Sequence, residues 1–186
     1  MSNIYGAPNG IERRAYRTTN ATLSSIPAVN PQQVTSGKLS DPLKRTCTRE
    51  YLVQLLEGQI ELALDNKYPM SVVLAEFTTA DGTIQESEAV LYAVAQHFNL
   101  NLRPTDIVMR FRNKTLAMIL HECDEIGARL ASQRLTAMIA DGVRVGGEKV
   151  LLKPHYGFSS QLTRESDRSS KLLSTAEVSL RALQEA

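Results

Sequence analysis

Few side chains in this sequence are placed to do chemistry, and most of them stand alone. The three histidines, His97, His121 and His155, lack the i, i+4 spacing of helical metal ligands, so no structural zinc site is expected. Cys47 and Cys123 form no C-x-x-C pair and have no base beside them in sequence, which makes them inert, reduced thiols. Glu76 is the one acid in an apolar run from Met70 to Phe77. Arg103-Pro104-Thr105-Asp106 sets a guanidinium and a carboxylate three residues apart, and Arg110-Phe111-Arg112-Asn113-Lys114 concentrates positive charge. Each has an ordinary alternative. Asp106 suits the cap of a turn before a strand, a charged run suits a solvated turn, and Glu76 suits a strand end facing solvent.

Composition narrows the classes. The chain has 186 residues, 42% hydrophobic and 22% charged, with a net charge of +1, which argues against a general nucleic-acid binder. No apolar run approaches the roughly 18–20 residues of a membrane-spanning helix. The opening MSNIYGAPNG lacks the charged start and apolar stretch of a secretory leader, so a cytoplasmic protein with no membrane insertion is expected. Residues 1–40 carry four basic groups and one acidic group, a net of +3, whereas residues 41–186 carry 17 basic and 19 acidic, a net of −2. The first segment is rich in Ser, Thr, Asn, Gln, Pro and Gly without apolar period, and reads as a disordered or linker tail. Residues 41–186 read as one folded domain.

The elements that must position these residues follow from period and punctuation. Asp41-Pro42 suits a helix start, with Leu52, Leu55, Leu56, Ile60 and Ala63 on one face through about Asp65. Met70 to Phe77 reads as a buried strand and Asp81-Gly82 as a turn. Ser87 caps a helix whose face holds Val90, Leu91, Val94, Ala95 and Phe98. Asp106–Phe111 and Leu116–Leu120 read as strands around a tight turn. A helix from about Asp124 to Ala140 presents Ile126, Leu130, Leu135, Met138 and Ile139. Val143–Val145 and Lys149–Ser159 form a hairpin over Gly146-Gly147, and a last helix spans about Ser169 to Gln184. This order predicts an α+β fold, a ferredoxin-like βαββαβ core with an extra hairpin strand and flanking helices, the helices mainly on one face.

Several stretches then agree in order and spacing with one known pattern: Asp41-Pro42-Leu43 with Arg49-Glu50-Tyr51-Leu52, Pro69 to Glu76, Asp106-Ile107-Val108-Met109-Arg110-Phe111, and Tyr156-Gly157-Phe158-Ser159. They resemble the GGDEF domain, the nucleotide-cyclase-like fold of bacterial diguanylate cyclases, over about residues 41–185. The resemblance breaks at the signature. Where the family has G-G-[DE]-E-F, this chain has Arg112-Asn113-Lys114-Thr115-Leu116, without the glycines that admit the nucleotide or the acid that helps hold two metal ions. Thr78 stands where a second metal-binding Asp usually falls, and the stretch from Glu76 to Leu91 is shorter than the family's. The implied state is a degenerate GGDEF domain with no catalytic residues, no metal and no cofactor.

One element of the family is kept. Relatives carry an R-x-x-D motif before the signature, an inhibitory site for the product cyclic di-GMP. Arg103 and Asp106 lie in that register, nine and six residues before Arg112. An ungapped count from the signature puts the site's second arginine on Arg134. The resemblance therefore implies a cyclic di-GMP receptor in bacterial signalling, binding its ligand at Arg103, Asp106 and Arg134 and acting on an unidentified protein partner, with ligand-driven dimerisation as a further expectation. The alternative is a nucleotide-independent protein–protein interaction scaffold, working through the basic hairpin tip, the tail, or a sheet face left open by the shortened first helix region.

Overall fold

The computed structural model of the protein describes residues 46–161 and 168–182, and the expected tail at 1–40 lies outside them. Its elements run β1 (Thr46–Cys47), α1 (Arg49–Asp65), β2 (Met70–Thr78), α2 (Glu88–Asn101), β3 (Ile107–Phe111) and β4 (Thr115–His121). There follow α3 (Glu125–Ile139), β5 (Val143–Val145), β6 (Glu148–Val150), β7 (Lys153–Gln161) and α4 (Arg168–Ala182). The main sheet has the order β1-β3-β4-β2-β7, and β5 and β6 pair as a separate ribbon. From β2 to β7 the order contains the expected βαββαβ core, with β2 central and antiparallel to both β4 and β7.

Alternation along β2 divides the core between two faces. Val73, Ala75 and Phe77 pack with the apolar faces of α2 and α3. Met70, Val72 and Leu74 pack with Leu52, Leu56 and Ile60 of α1 and Leu172, Leu173 and Leu180 of α4. Helices therefore cover both faces, which corrects the expectation of one covered face. It also explains why β2 reads as an unbroken apolar run. Gly157 sets the approach of α4 to β7: a Cβ there would lie 2.1 Å from the Ala176 carbonyl oxygen and 2.6 Å from Leu180 Cβ.

Three boundaries also differ from expectation. The first helix starts at Arg49, capped by Thr48, whose hydroxyl accepts from the Tyr51 N–H at 3.3 Å. Residues 46–47 instead run parallel to β3, with Thr46 opposite Arg110, and Asp41-Pro42 lies outside the described residues. The strand expected over Lys149–Ser159 is broken at Leu151-Leu152, so β6 closes the small ribbon while β7 joins the main sheet. Gly146 and Gly147 take the ribbon's turn at φ 58° and 90°, a region glycine enters without strain. On α3, Leu135 and Ile139 are buried as expected. Ile126 and Leu130 are 70% and 60% exposed, and the small residues Ala128 and Ser132 face the sheet in their place.

Candidate functional site

The connection from α2 to β3 is built by its own polar groups. The Asp106 N–H donates to the Arg103 carbonyl at 2.9 Å, closing a turn. Asp106 Oδ2 accepts from the Arg103 N–H at 3.0 Å, and Oδ1 accepts from the His121 N–H at 3.1 Å. Asp106 is therefore a turn cap and a tie to the end of β4 at once, half-buried while Arg103 stays exposed. From α3, Arg134 reaches the last residue of α2, donating from its guanidinium to the Asn101 carbonyl at 3.3 Å. A cation there meets the negative end of the α2 dipole.

These three side chains line one cavity of about 420 Å³, together with His121, Cys123 and Leu130. Arg103 and Asp106 come from the turn before β3 and Arg134 from the middle of α3, so the sheet and one helix bring them together. The far wall is the β4–α3 connection, whose Glu122 has a φ of 49°. That connection is fixed through Cys123: its N–H donates to the Pro69 carbonyl at 3.0 Å, and its carbonyl accepts from Ser71 Oγ at 2.8 Å. Burial pushes the Cys123 thiol above its ordinary value, with the Asp106 carboxylate adding to the effect. Burial also pushes the His121 imidazole down, against the opposing pull of Asp106. Sequence reasoning missed this wall. His121 is noted there only as lacking metal-ligand spacing and Cys123 as an inert thiol, and no local pattern marks them.

The β3–β4 turn is built differently from expectation. Arg110 is buried at 2% exposure, 3.0 Å from Glu88, and so forms no part of an exposed tip. Arg112, at φ 60°, pairs with Glu177 of α4 at 2.7 Å, and Arg49 meets the same carboxylate oxygen at 2.6 Å. Glu76 is 6% exposed rather than facing solvent. Its Oε1 accepts from Thr115 Oγ1 at 2.7 Å, and its Oε2 lies 3.5 Å from Lys114 Nζ. The expected basic patch is thus largely folded back onto acids.

The metal ions of the cyclase reaction do not fit these residues. Glu76 already faces an ammonium where a cation would bind, and among the described residues no group of three His, Cys, Asp or Glu is placed to hold a metal.

The family profile described as "Diguanylate cyclase, GGDEF domain" matches residues 39–186. The chain belongs to the GGDEF family. Among solved structures, the FimX GGDEF domain of Pseudomonas aeruginosa superposes with a TM-score of 0.64 at 13% identity, over 80% of this chain and 95% of that one. The GGDEF domain of DgcB from Caulobacter crescentus, in complex with c-di-GMP, gives 0.64 at 14% identity, over 82% and 90%. The P. aeruginosa diguanylate cyclase SiaD, in complex with its activator SiaC, gives 0.60 at 20% identity, over 80% of this chain and 58% of SiaD. At these identities the likeness is one of fold. No curated protein matches the chain. Among the described residues no helix is long and apolar enough to cross a membrane.

Proposed function

We propose that this GGDEF domain is catalytically inactive and serves as a receptor for cyclic di-GMP, held at Arg103, Asp106 and Arg134. The observation that carries the reading is the convergence of these three side chains on a single cavity of about 420 Å³. Guanine offers O6 and N7 to a guanidinium and its N1–H and N2–H₂ to a carboxylate, and each bidentate contact contributes about 1–3 kcal/mol of discrimination. Asp106 keeps acceptor capacity for this, because an ionised carboxylate has about four lone-pair sites and two backbone N–H groups occupy one on each oxygen. Arg103 and Arg134 supply positive charge for a ligand with two phosphates. The c-di-GMP complex of the DgcB GGDEF domain is in keeping with this ligand class.

The inactive reading is supported by the other end of the sheet. Lys114 and Thr115 satisfy Glu76 internally, and Arg112 and Asn113 occupy the positions of the signature glycines. Bound ligand would then act through contacts with a partner protein. Thermal denaturation tests the reading, since a ligand at 100 times its Kd stabilises the folded state by about 2.7 kcal/mol. Cyclic di-GMP is expected to raise the Tm while GTP does not, with no product formed from GTP and Mg²⁺ or Mn²⁺. A Tm indifferent to every guanine nucleotide would instead favour the nucleotide-independent scaffold.

A further inference from the structure

Three carboxylates line the pocket, those of Asp106, Glu122 and Asp124. Two of them are already engaged. Asp106 accepts one backbone N–H on each oxygen, and Asp124 caps α3 by accepting the Gly127 N–H at 2.8 Å. Glu122 is exposed and has no hydrogen bond or ion pair among the described residues. Its backbone is unusual as well. At φ 49° it lies in the left-handed region, where a residue with a β-carbon is strained and glycine is not. Lys67 shares that region at φ 58°, but there the Tyr68 N–H returns to the Ala63 carbonyl at 3.0 Å and ends α1, an ordinary helix stop. Glu122 follows a strand instead, and its conformation is imposed from both sides. The His121 N–H is held by Asp106 Oδ1 at 3.1 Å, the Cys123 N–H by the Pro69 carbonyl at 3.0 Å, and the Cys123 carbonyl by Ser71 Oγ at 2.8 Å. Strain of this kind persists only where the surroundings over-determine it, and it gathers where ligands are held.

We infer that Glu122 is a second guanine-reading carboxylate of this pocket, an inference that rests on the receptor reading for its ligand. Cyclic di-GMP carries two guanines, and each presents N1–H and N2–H₂ as a pair of donors that one carboxylate can accept. Asp106 serves one base with the lone pairs its backbone bonds leave, and Glu122 serves the other with both oxygens free. A base without the N2 amino group leaves one of those oxygens unpaired, and adenine, with an acceptor at N1, sets two acceptors against each other. The clamped neighbours matter for the same reason: the Glu122 side chain leaves from a fixed backbone, so less has to be ordered when the ligand binds. Glycine in the same place would relax the backbone and remove the reading group.

The test uses the full chain, with calorimetry against cyclic di-GMP and against cyclic di-IMP, its inosine analogue, whose bases keep O6, N7 and N1–H but lack the N2 amino group. Wild type is expected to prefer cyclic di-GMP. Glu122→Gln, which keeps the shape of the side chain, is expected to weaken cyclic di-GMP by about 10- to 100-fold and to narrow that preference by about 5-fold or more. Urea denaturation reads the backbone separately. Glu122→Gly is expected to unfold at a higher urea concentration than Glu122→Ala, which lacks the carboxylate equally but keeps the β-carbon. Unchanged affinity and preference in Glu122→Gln, with cyclic di-GMP binding still lost in Arg103→Ala, overturns the role of Glu122 and leaves the receptor reading standing. A Glu122→Gly variant no more stable than Glu122→Ala overturns the strained, held backbone that the role requires. Wild type silent toward both ligands overturns the receptor reading and, with it, the role of Glu122.

Discussion

Substitution of Thr115 by valine removes one hydroxyl from a buried carboxylate, and its cost separates two interactions that share Glu76. The Thr115 Oγ1–Glu76 Oε1 hydrogen bond is 2.7 Å long between residues 3% and 6% exposed. A hydrogen bond to an ionised group contributes about 1.5–3 kcal/mol. Valine keeps the β-branched shape that suits β4, so packing is preserved. The Lys114 contact is longer, at 3.5 Å, and the lysine side chain is 37% exposed. Solvent screening and side-chain entropy reduce such a pair to about 0–1 kcal/mol. Thr115→Val is therefore expected to cost about 2 kcal/mol and Lys114→Ala less than about 1 kcal/mol. For a domain of this size, 2 kcal/mol lowers the Tm by roughly 4–8 °C. Urea denaturation of both variants, with unchanged m, measures the difference. A Lys114→Ala cost exceeding that of Thr115→Val would refute the hydrogen bond as the main partner of Glu76.

Four further outcomes follow from the structure. Gly157→Ala drives a methyl group into the Ala176 carbonyl and the Leu180 backbone, so a loss of more than about 2 kcal/mol is expected in urea melts. Arg134→Ala is expected to change stability by less than about 0.5 kcal/mol, because the side chain is exposed, while weakening cyclic di-GMP by roughly 10- to 100-fold in calorimetry. Asp106→Ala also strips the acceptor from the N–H groups of Arg103 and His121, so it lowers the Tm as well as the affinity. Burial holds the Cys47 thiol neutral up to about 11. A thiol whose folded value is raised loses stability as pH climbs from its unfolded value through the folded one, and it alkylates slowly at neutral pH. Iodoacetamide labelling at pH 7.5 is expected to modify Cys47 far more slowly in the folded chain than in urea.

Much of the core was legible because long amphipathic segments carry strong periods. Leu52, Leu56, Ile60 and Ala63 of α1, and Val90, Leu91, Val94, Ala95 and Phe98 of α2, lie on the faces their spacing indicates. Two residues of β1 hold no period, so nothing in the pattern separates them from the helix that follows. On α3, ranking by hydrophobicity turns the large residues inward, but the helix instead faces the sheet with Ala128 and with Ser132, whose hydroxyl returns to the Ala128 carbonyl at 3.0 Å. Arg103, Asp106 and Arg134 were singled out by the register of the resemblance, and the structure brings them to one cavity. Its far wall was not legible, since His121 and Cys123 meet the arginines only through strand order and helix packing. Glu76 was misjudged because its partners, Thr115 of β4 and Lys114 of the turn before it, arrive from outside its own strand.

The measurement closest to the central claim is isothermal titration calorimetry of the full chain with cyclic di-GMP, alongside GTP and the Arg103→Ala variant. Saturable binding of cyclic di-GMP with a Kd on the order of a micromolar or tighter, absent with GTP and lost in Arg103→Ala, is the predicted result. No heat with cyclic di-GMP, or equal binding by Arg103→Ala, would contradict it.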